Sequence, residues 1–474
     1  MVKPEIETLF DNIQQNNVEE IVNTAFRPIQ YLGSKLRLVN EISEIVELNK
    51  TSNIVCDLFS GSGVVSHYLA NKNDVISLDI QYYSTVISAA LTNGRKLSNT
   101  EITLFIKEAI SNPLFCELLN VYEPLTNLED SLLKTKLETD NDKLNFARFT
   151  EECSVYTYLK SDERKTSSDK TVYKALNKFK KRFNDVPENV KKISYCSLYY
   201  GGVYFSFHQS LIIDALLVKI NELKLVDHPK YSILLASLLS TLSEIVATVG
   251  KQFAQPMKLT DKNNKPKVLL ATRTVRDRNY DVISIFTKWL KEYSKNSHQN
   301  SRNKAITSDY KYFLNTSKEG IGCFYADPPY TIDHYSRFYH ILETIALYDF
   351  PELAVMNKTN IGSVIMKGLY RVERFQSSFC IPSQVKVAFT DLFRGASKFG
   401  CPLLLSYSPF DKSTSNRPRL LTIDEIISLA NLYYENVEVI DLKEHQHRKL
   451  NKVQNNFESI TNGEVMILCR QSKN

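Results

Sequence analysis

No Cys-x-x-Cys pair occurs in the 474 residues, although eight cysteines are present. Cys56, Cys116, Cys153, Cys196, Cys323, Cys380, Cys401 and Cys469 are scattered, and several lie in apolar runs. That pattern predicts reduced, buried thiols in a cytoplasmic protein. Long uncharged apolar runs are absent too. The most apolar long segment, 231–249, carries Ser232, Ser237, Ser240, Thr241, Ser243 and Glu244. It reads as a buried helix rather than a membrane span, so no membrane partner is expected. Residues 1–17 are polar and acidic and lack the apolar stretch of a signal peptide. Nor is there an internal repeat or a low-complexity tract. His334 and His340 are six apart and fall on different helical faces, so no metal site is expected there.

What is present fits a globular protein of two or three domains, with 43% hydrophobic and 24% charged residues. The formal charge of +6 allows a nucleic-acid partner without demanding one. One stretch organises the chain. The apolar run Ile321 to Ala326 reads as a buried strand, and it stops at Asp327-Pro328-Pro329-Tyr330. A carboxylate, two residues without N–H groups and an aromatic ring therefore stand at a strand's C-terminal end, where open α/β sheets bind ligands. Taken alone, the four residues fit a proline turn equally well.

A second stretch resembles half of a nucleotide-binding unit. Ile54 to Phe59 reads as a short strand, Ser60-Gly61-Ser62-Gly63 as a turn, and Val64 to about Asn71 as a helix. Val75 to Leu78 then forms a strand ending at Asp79. Ser66 stands where a dinucleotide fingerprint would have its third glycine, and no Gly-Lys-Ser/Thr follows, so this is not a P-loop. Asp57, just before the turn, would repel a phosphate and attract an ammonium or sulfonium group.

The remaining expectations are coarser. Residues 1–26 read as a peripheral helix, and about 96–304 as mainly helical. Thr272 to Arg278 precede an amphipathic helix. After a short strand at 305–308 come helices over 335–347 and 383–398, the latter capped by Ser383. A strand at 402–406, a helix at 422–434 and an antiparallel pair at 437–442 and 464–469 follow, the pair joined by a basic loop with His445, His447, Arg448 and Lys449.

In this order, Tyr31-Leu32-Gly33-Ser34-Lys35, Asp57 to Gly63, Asp79, Asp309 and Asp327 to Tyr330 resemble the S-adenosylmethionine-dependent adenine-N6 DNA methyltransferases of the alpha arrangement. The resemblance covers roughly 27–95 and 305–470. It implies an α/β Rossmann-like sheet with a large, mostly helical inserted target-recognition region. The methyltransferase domain would comprise 1–95, with the cofactor motifs, and 305–474, with the catalytic motif. Residues 96–304 would form the DNA-binding insertion. Lys35 would hold the cofactor carboxylate, with Tyr31 near its methionyl group. Tyr31 and Ser34 depart from the Trp and Gly that relatives carry. Asp57, Phe59, Gly61 and Gly63 would line the methionine end, Asp79 would accept from the ribose hydroxyls and Asp309 from the adenine amino group. A strand-end Asp that merely caps a turn is the other reading of Asp309.

The implied chemistry is specific. Adenine N6 is a poor nucleophile because its lone pair is delocalised into the ring. Acceptors at the Asp327 carboxylate and the Pro328 carbonyl would favour a tetrahedral nitrogen, and Pro329 fixes the backbone that aims them. Tyr330 would stack on a base flipped out of the duplex. Cytosine-N4 enzymes usually have Ser in place of Asp327, and related RNA enzymes have Asn. A catalytically silent DNA-binding subunit is the alternative from another class. Arg273, Arg276, Arg278, Tyr335 and Arg337 are candidate DNA contacts, as are the Lys178 to Arg182 run and His445 to Lys449. Ordinary surface salt bridges fit any one of the charged residues among these equally well. The resemblance also implies double-stranded DNA as partner and a separate restriction endonuclease or defence subunits.

Overall fold

The computed structural model describes residues 26–160, 169–329, 335–358, 362–408, 419–441 and 464–471. Helix α1 (Val39–Asn49) leads into strand β1 (Ile54–Asp57), α2 (Val64–Leu69), β2 (Asp74–Asp79) and α3 (Tyr82–Asn93). A run of helices follows: α4 (Asn99–Ile110), α5 (Pro113–Lys134), α6 (Asp140–Glu152), α7 (Val155–Lys160) and α8 (Lys170–Asp185). It continues through α9 (Glu188–Ile193), α10 (Cys196–Tyr200), α11 (Phe207–Asn221), α12 (His228–Ile245), α13 (Val268–Arg278) and α14 (Val282–Asn296). Strands then return, with β3 (Lys304–Thr307), α15 (Tyr310–Thr316), β4 (Ile321–Ala326), α16 (Tyr335–Phe338) and α17 (His340–Leu347). A hairpin of β5 (Val355–Lys358) and β6 (Gly362–Ile365) precedes α18 (Val385–Ser397), β7 (Leu403–Tyr407), α19 (Ile423–Ala430), β8 (Asn436–Asp441) and β9 (Val465–Arg470).

Seven strands form one sheet in the order β3-β2-β1-β4-β7-β9-β8. The first five run parallel, and β9 is antiparallel to both of its neighbours. Parallel strands covered on both faces read as continuous apolar runs, and β4 is buried at all six positions. Successive side chains point to opposite faces. Val55, Val75, Cys323, Leu404 and Met466 therefore pack with Ile42 and Val46 of α1 and Val65 and Leu69 of α2. Cys56, Ile76, Phe324, Leu403 and Ile467 pack on the other face with Phe313, Phe389, Leu392 and Ile426.

Most of the helices between β2 and β3 share one large apolar core with α17, while Ala271 of α13 packs in a smaller one with Phe146 and Ala147 of α6. α12 is buried almost throughout, which accounts for the apolar 231–249 segment. No helix among the described residues is long and apolar enough to cross a membrane. Seven of the eight cysteines are buried and all eight are free thiols; Cys116 is exposed.

Thr272 to Arg278 form the end of α13 and precede the amphipathic α14, as expected. Two of the sequence expectations need correction. The helix expected over 335–347 breaks at Tyr339, whose hydroxyl is engaged by the Leu32 N–H. Ser383 caps nothing: α18 starts at Val385, after Gln384 and without a side-chain cap. Thr422, by contrast, forms a full capping box with Glu425, so α19 begins where expected. The helix expected over 1–26 falls almost wholly, and the basic loop at 445–449 entirely, outside the described residues.

Candidate active site

Four neighbouring parallel strands end in aspartate. Asp57 closes β1, Asp79 closes β2, Asp309 stands two residues past β3, and Asp327 follows β4 directly. The register pairs Asp57 with Ser77 on one side and Tyr325 on the other, so these ends are level. The chain steps outward from β1 through β2 to β3 and returns to β4 on β1's other side. The crevice therefore lies at a topological switch point. It is a cleft of about 1170 Å³, including its open mouth, and all four aspartates line it.

The turn after β1 needs its glycines. Gly61 has φ +50° and Gly63 φ +73°, a backbone region that suits glycine. A Cβ on Gly61 would meet the Tyr31 ring at 2.8 Å. The Gly61 N–H is thereby free to donate to Asp79 Oδ2 at 2.9 Å, while Gln81 N–H and Ser84 Oγ donate to the same carboxylate. Burial raises the Asp79 pKa, opposed by these bonds. Asp57 is buried and accepts Ser66 Oγ at 2.6 Å and the Phe59 N–H at 3.4 Å. Burial pushes its carboxyl up to about 7, against the pull of these two donors.

An aromatic wall closes one side. Tyr31 stacks on Tyr339 with centroids 5.0 Å apart, and its ring is 5.9 Å from Tyr335. Tyr335 donates its hydroxyl to the Leu32 carbonyl at 3.3 Å. These contacts tie the 31–33 segment to α16 and α17. Tyr335 thus lines the cleft, on the side where a flipped base would enter. Phe59, Tyr310 and Phe379 make a second aromatic group, with centroids 5.3–5.5 Å apart. Asp309 caps α15 through the Lys311 and Tyr312 N–H groups and also lines the cleft.

Lys35 is buried between two carboxylates. Its Nζ lies 2.9 Å from Asp327 Oδ2 and 2.9 Å from Glu464 Oε1. Glu464 Oε1 also accepts Ser406 Oγ from β7 at 2.8 Å. The ammonium is thus committed to the catalytic-motif carboxylate, a contact the sequence reading did not anticipate for Lys35. Glu464 was missed altogether as a site residue. The available signal was an acid at the head of the apolar run 464–469, because a charge buried there needs a partner. Pro328 and Pro329 line the cleft, and the Pro329 carbonyl accepts from Cys380 Sγ at 3.4 Å. Tyr330 lies outside the described residues.

The candidate DNA contacts separate. Arg278 is buried, pairs with Glu129 and donates to the Gly202 carbonyl at 2.6 Å. It holds α13 against α5 and is withdrawn as a surface contact. Arg276 is exposed and pairs with Asp277, and Arg273 reaches the same aspartate at 3.9 Å. Arg182 pairs with Glu123, so that end of the Lys178 to Arg182 run braces α8 on α5. Arg337, next in the chain to the cleft-lining Ser336, packs against Tyr370.

A family model for D12 class N6 adenine-specific DNA methyltransferase matches residues 31–204 and 272–398. The chain is 25% identical over 425 residues to Modification methylase LlaI of Lactococcus lactis subsp. lactis, covering 89% of this chain and 51% of that protein. It is 24% identical to Type II methyltransferase M.FokI of Planomicrobium okeanokoites, over 80% of this chain and 44% of that one. Against Type II methyltransferase M.NlaIII of Neisseria lactamica the identity is 25%, over 78% of this chain and 80% of the relative. The chain thus spans about half the length of the first two relatives.

Proposed function

The chain belongs to the D12 class of N6 adenine-specific DNA methyltransferases, and from that membership we propose that it transfers a methyl group from S-adenosylmethionine to N6 of an adenine flipped out of duplex DNA. It would do so as the modification arm of a restriction-modification or phage-defence system, with a separate endonuclease or defence subunits. The observation that carries the reading is Asp327, directly after β4, lining one cleft with the Asp57 to Gly63 turn and Asp79.

The cofactor fits the donors present. A buried acid at Asp57 suits the cationic methionyl end, Asp79 suits vicinal hydroxyls, and Asp309 beside Tyr310 suits an amino-purine. Tyr31, Phe59, Gly61 and Gly63 give it apolar walls and close backbone. When bound, it supplies an electrophilic sulfonium methyl. The chain's own residues orient the acceptor: Asp327 and the Pro328 carbonyl accept from the N6 amino group and leave its lone pair free for the methyl carbon. Lys35 holds the Asp327 carboxylate in place. Tyr330 stacks on the extruded base. Residues 96–304 form the target-recognition region, with Arg273 and Arg276 as candidate contacts.

Sequencing of modified bases in DNA from cells expressing the protein tests the reading. N6-methyladenine at a defined site is expected, absent with Asp327→Ala. Cytosine modification, or none at all in cells with bound cofactor demonstrated in the purified protein, would overturn it.

A further inference from the structure

Tyr370 is a buried, fixed post close in sequence to residues that line the cleft. Its hydroxyl donates to the Ala254 carbonyl, and His340 packs edge-on to its ring at 4.8 Å. Two guanidinium groups lie over that one ring. The Cζ of Arg337 is 5.2 Å from the centroid and that of Arg374 is 4.8 Å. Arg337 Nη2 also donates to the Tyr370 hydroxyl at 3.2 Å. Among the described residues, neither arginine has a carboxylate partner, and Arg374 Nε is buried without a hydrogen bond. Burial and the neighbouring Arg337 charge hold Arg374 below its ordinary pKa, with Tyr370 opposing. Their chain neighbours Ser336 and Phe375 line the cleft itself.

Two like charges against one ring, with no carboxylate between them among the described residues, form an incomplete arrangement. Cation–π contact offsets part of the repulsion, but the outward N–H forks remain available. Arginine forks match phosphate oxygens in pairs, which a single ammonium cannot do. Phe375 is 43% exposed beside them, an apolar face next to a charged one. We propose that Arg337 and Arg374, braced by Tyr370, form a seat for one phosphodiester of the DNA strand entering the active site. This rests on duplex DNA being the substrate, and it would fix the strand next to the flipped nucleotide without reading sequence.

The test measures binding of a random-sequence DNA duplex across a salt series, with S-adenosylhomocysteine present. The parent protein is compared with R337Q/R374Q and R337K/R374K, and the single Gln variants are read separately should the double one unfold. Losing one phosphate contact lowers the slope of log affinity against log salt by about 0.9. That loss in the Gln variant, retention of the slope in the Lys variant and unchanged S-adenosylmethionine affinity are the expected results. An unchanged slope in the Gln variant overturns the seat and leaves the methyltransferase reading standing. A loss confined to cofactor affinity also overturns it, because the pair would then serve the cofactor carboxylate. If the parent binds no duplex at all, both inferences fail.

Discussion

Asp57 is a carboxylate buried beside the turn that would receive a cationic cofactor. Its carboxyl is pushed up to about 7 by burial, so near neutral pH it is only partly ionised. A sulfonium ligand stabilises the ionised form, so binding expels a proton below that pH. Cofactor affinity should rise with pH from 6 to 8, by at most about tenfold per pH unit, and level off above the pKa. Asp57→Asn should bind weakly and without this dependence, as read by calorimetry across the range. The stability term has the opposite sense. A carboxyl with a raised folded pKa contributes most at acid pH and loses that contribution as pH rises through 7. The glycine at position 61 poses a steric question at the same scale. Gly61→Ala places a methyl group 2.8 Å from the Tyr31 ring at a φ of +50°. The variant should stay folded yet lose most cofactor binding, and Tyr31→Ala should not restore it fully, because the backbone strain remains. Full rescue by Tyr31→Ala would show that the clash alone matters. Asp327→Ala should lower kcat by at least about a hundredfold while leaving cofactor affinity near that of the parent.

Among the elements, α13 shows why some of the chain was legible and some was not. The strands of the sheet could be read because burial on both faces leaves continuous apolar runs, and each acid-ended strand advertised its own terminus. Turn chemistry gave Gly61 and Gly63 their roles. Arg273, Arg276 and Arg278 look alike in sequence, since the partner that sets Arg278 apart comes from a distant segment. Only the fold reveals that Arg278 faces inward to Glu129 on α5 while Arg276 stays exposed. The same limit hid Glu464 and the tie from Tyr339 to Leu32, made across 307 residues. Local rules also misplaced the start of α18, because a Ser with no N–H within reach was credited as a cap. The arginines allow a direct comparison. Arg278→Met should cost about 3–5 kcal/mol, since it strands a buried carboxylate. Arg276→Ala should cost no more than about 1 kcal/mol, because Asp277 keeps Lys251 at 3.1 Å. Urea unfolding of the two variants checks the order, and equal costs would refute the packing role given to Arg278.

For the whole molecule, the Lys35 cluster joins the two ends of the sequence through the catalytic strand. Lys35 comes from the turn before α1, Asp327 from the end of β4 and Glu464 from the start of β9. Strand β7 lies between β4 and β9, and its Ser406 completes the cluster. The Lys35 and Glu464 side chains are 4% and 2% exposed, whereas Asp327 keeps 19% toward the cleft. One ammonium therefore neutralises a fully buried acid and a cleft-facing acid together. Lys35→Met leaves two carboxylates facing each other in a region of weak screening, and should cost about 3–5 kcal/mol. Glu464→Gln alone should cost less, because Lys35 retains Asp327 and Ser406 can still bond the amide. It should lower kcat more than it changes the DNA KM, because Lys35 then draws Asp327 away from the base. In the double variant the only remaining acid is Asp327, which can reach water through the cleft. Its stability loss should fall short of the sum of the single losses by about 1–3 kcal/mol, a coupling readable from urea unfolding of the four proteins. Additive losses would mean that the three charges act separately, and the cluster would then not be what aligns the catalytic carboxylate with the closing strand.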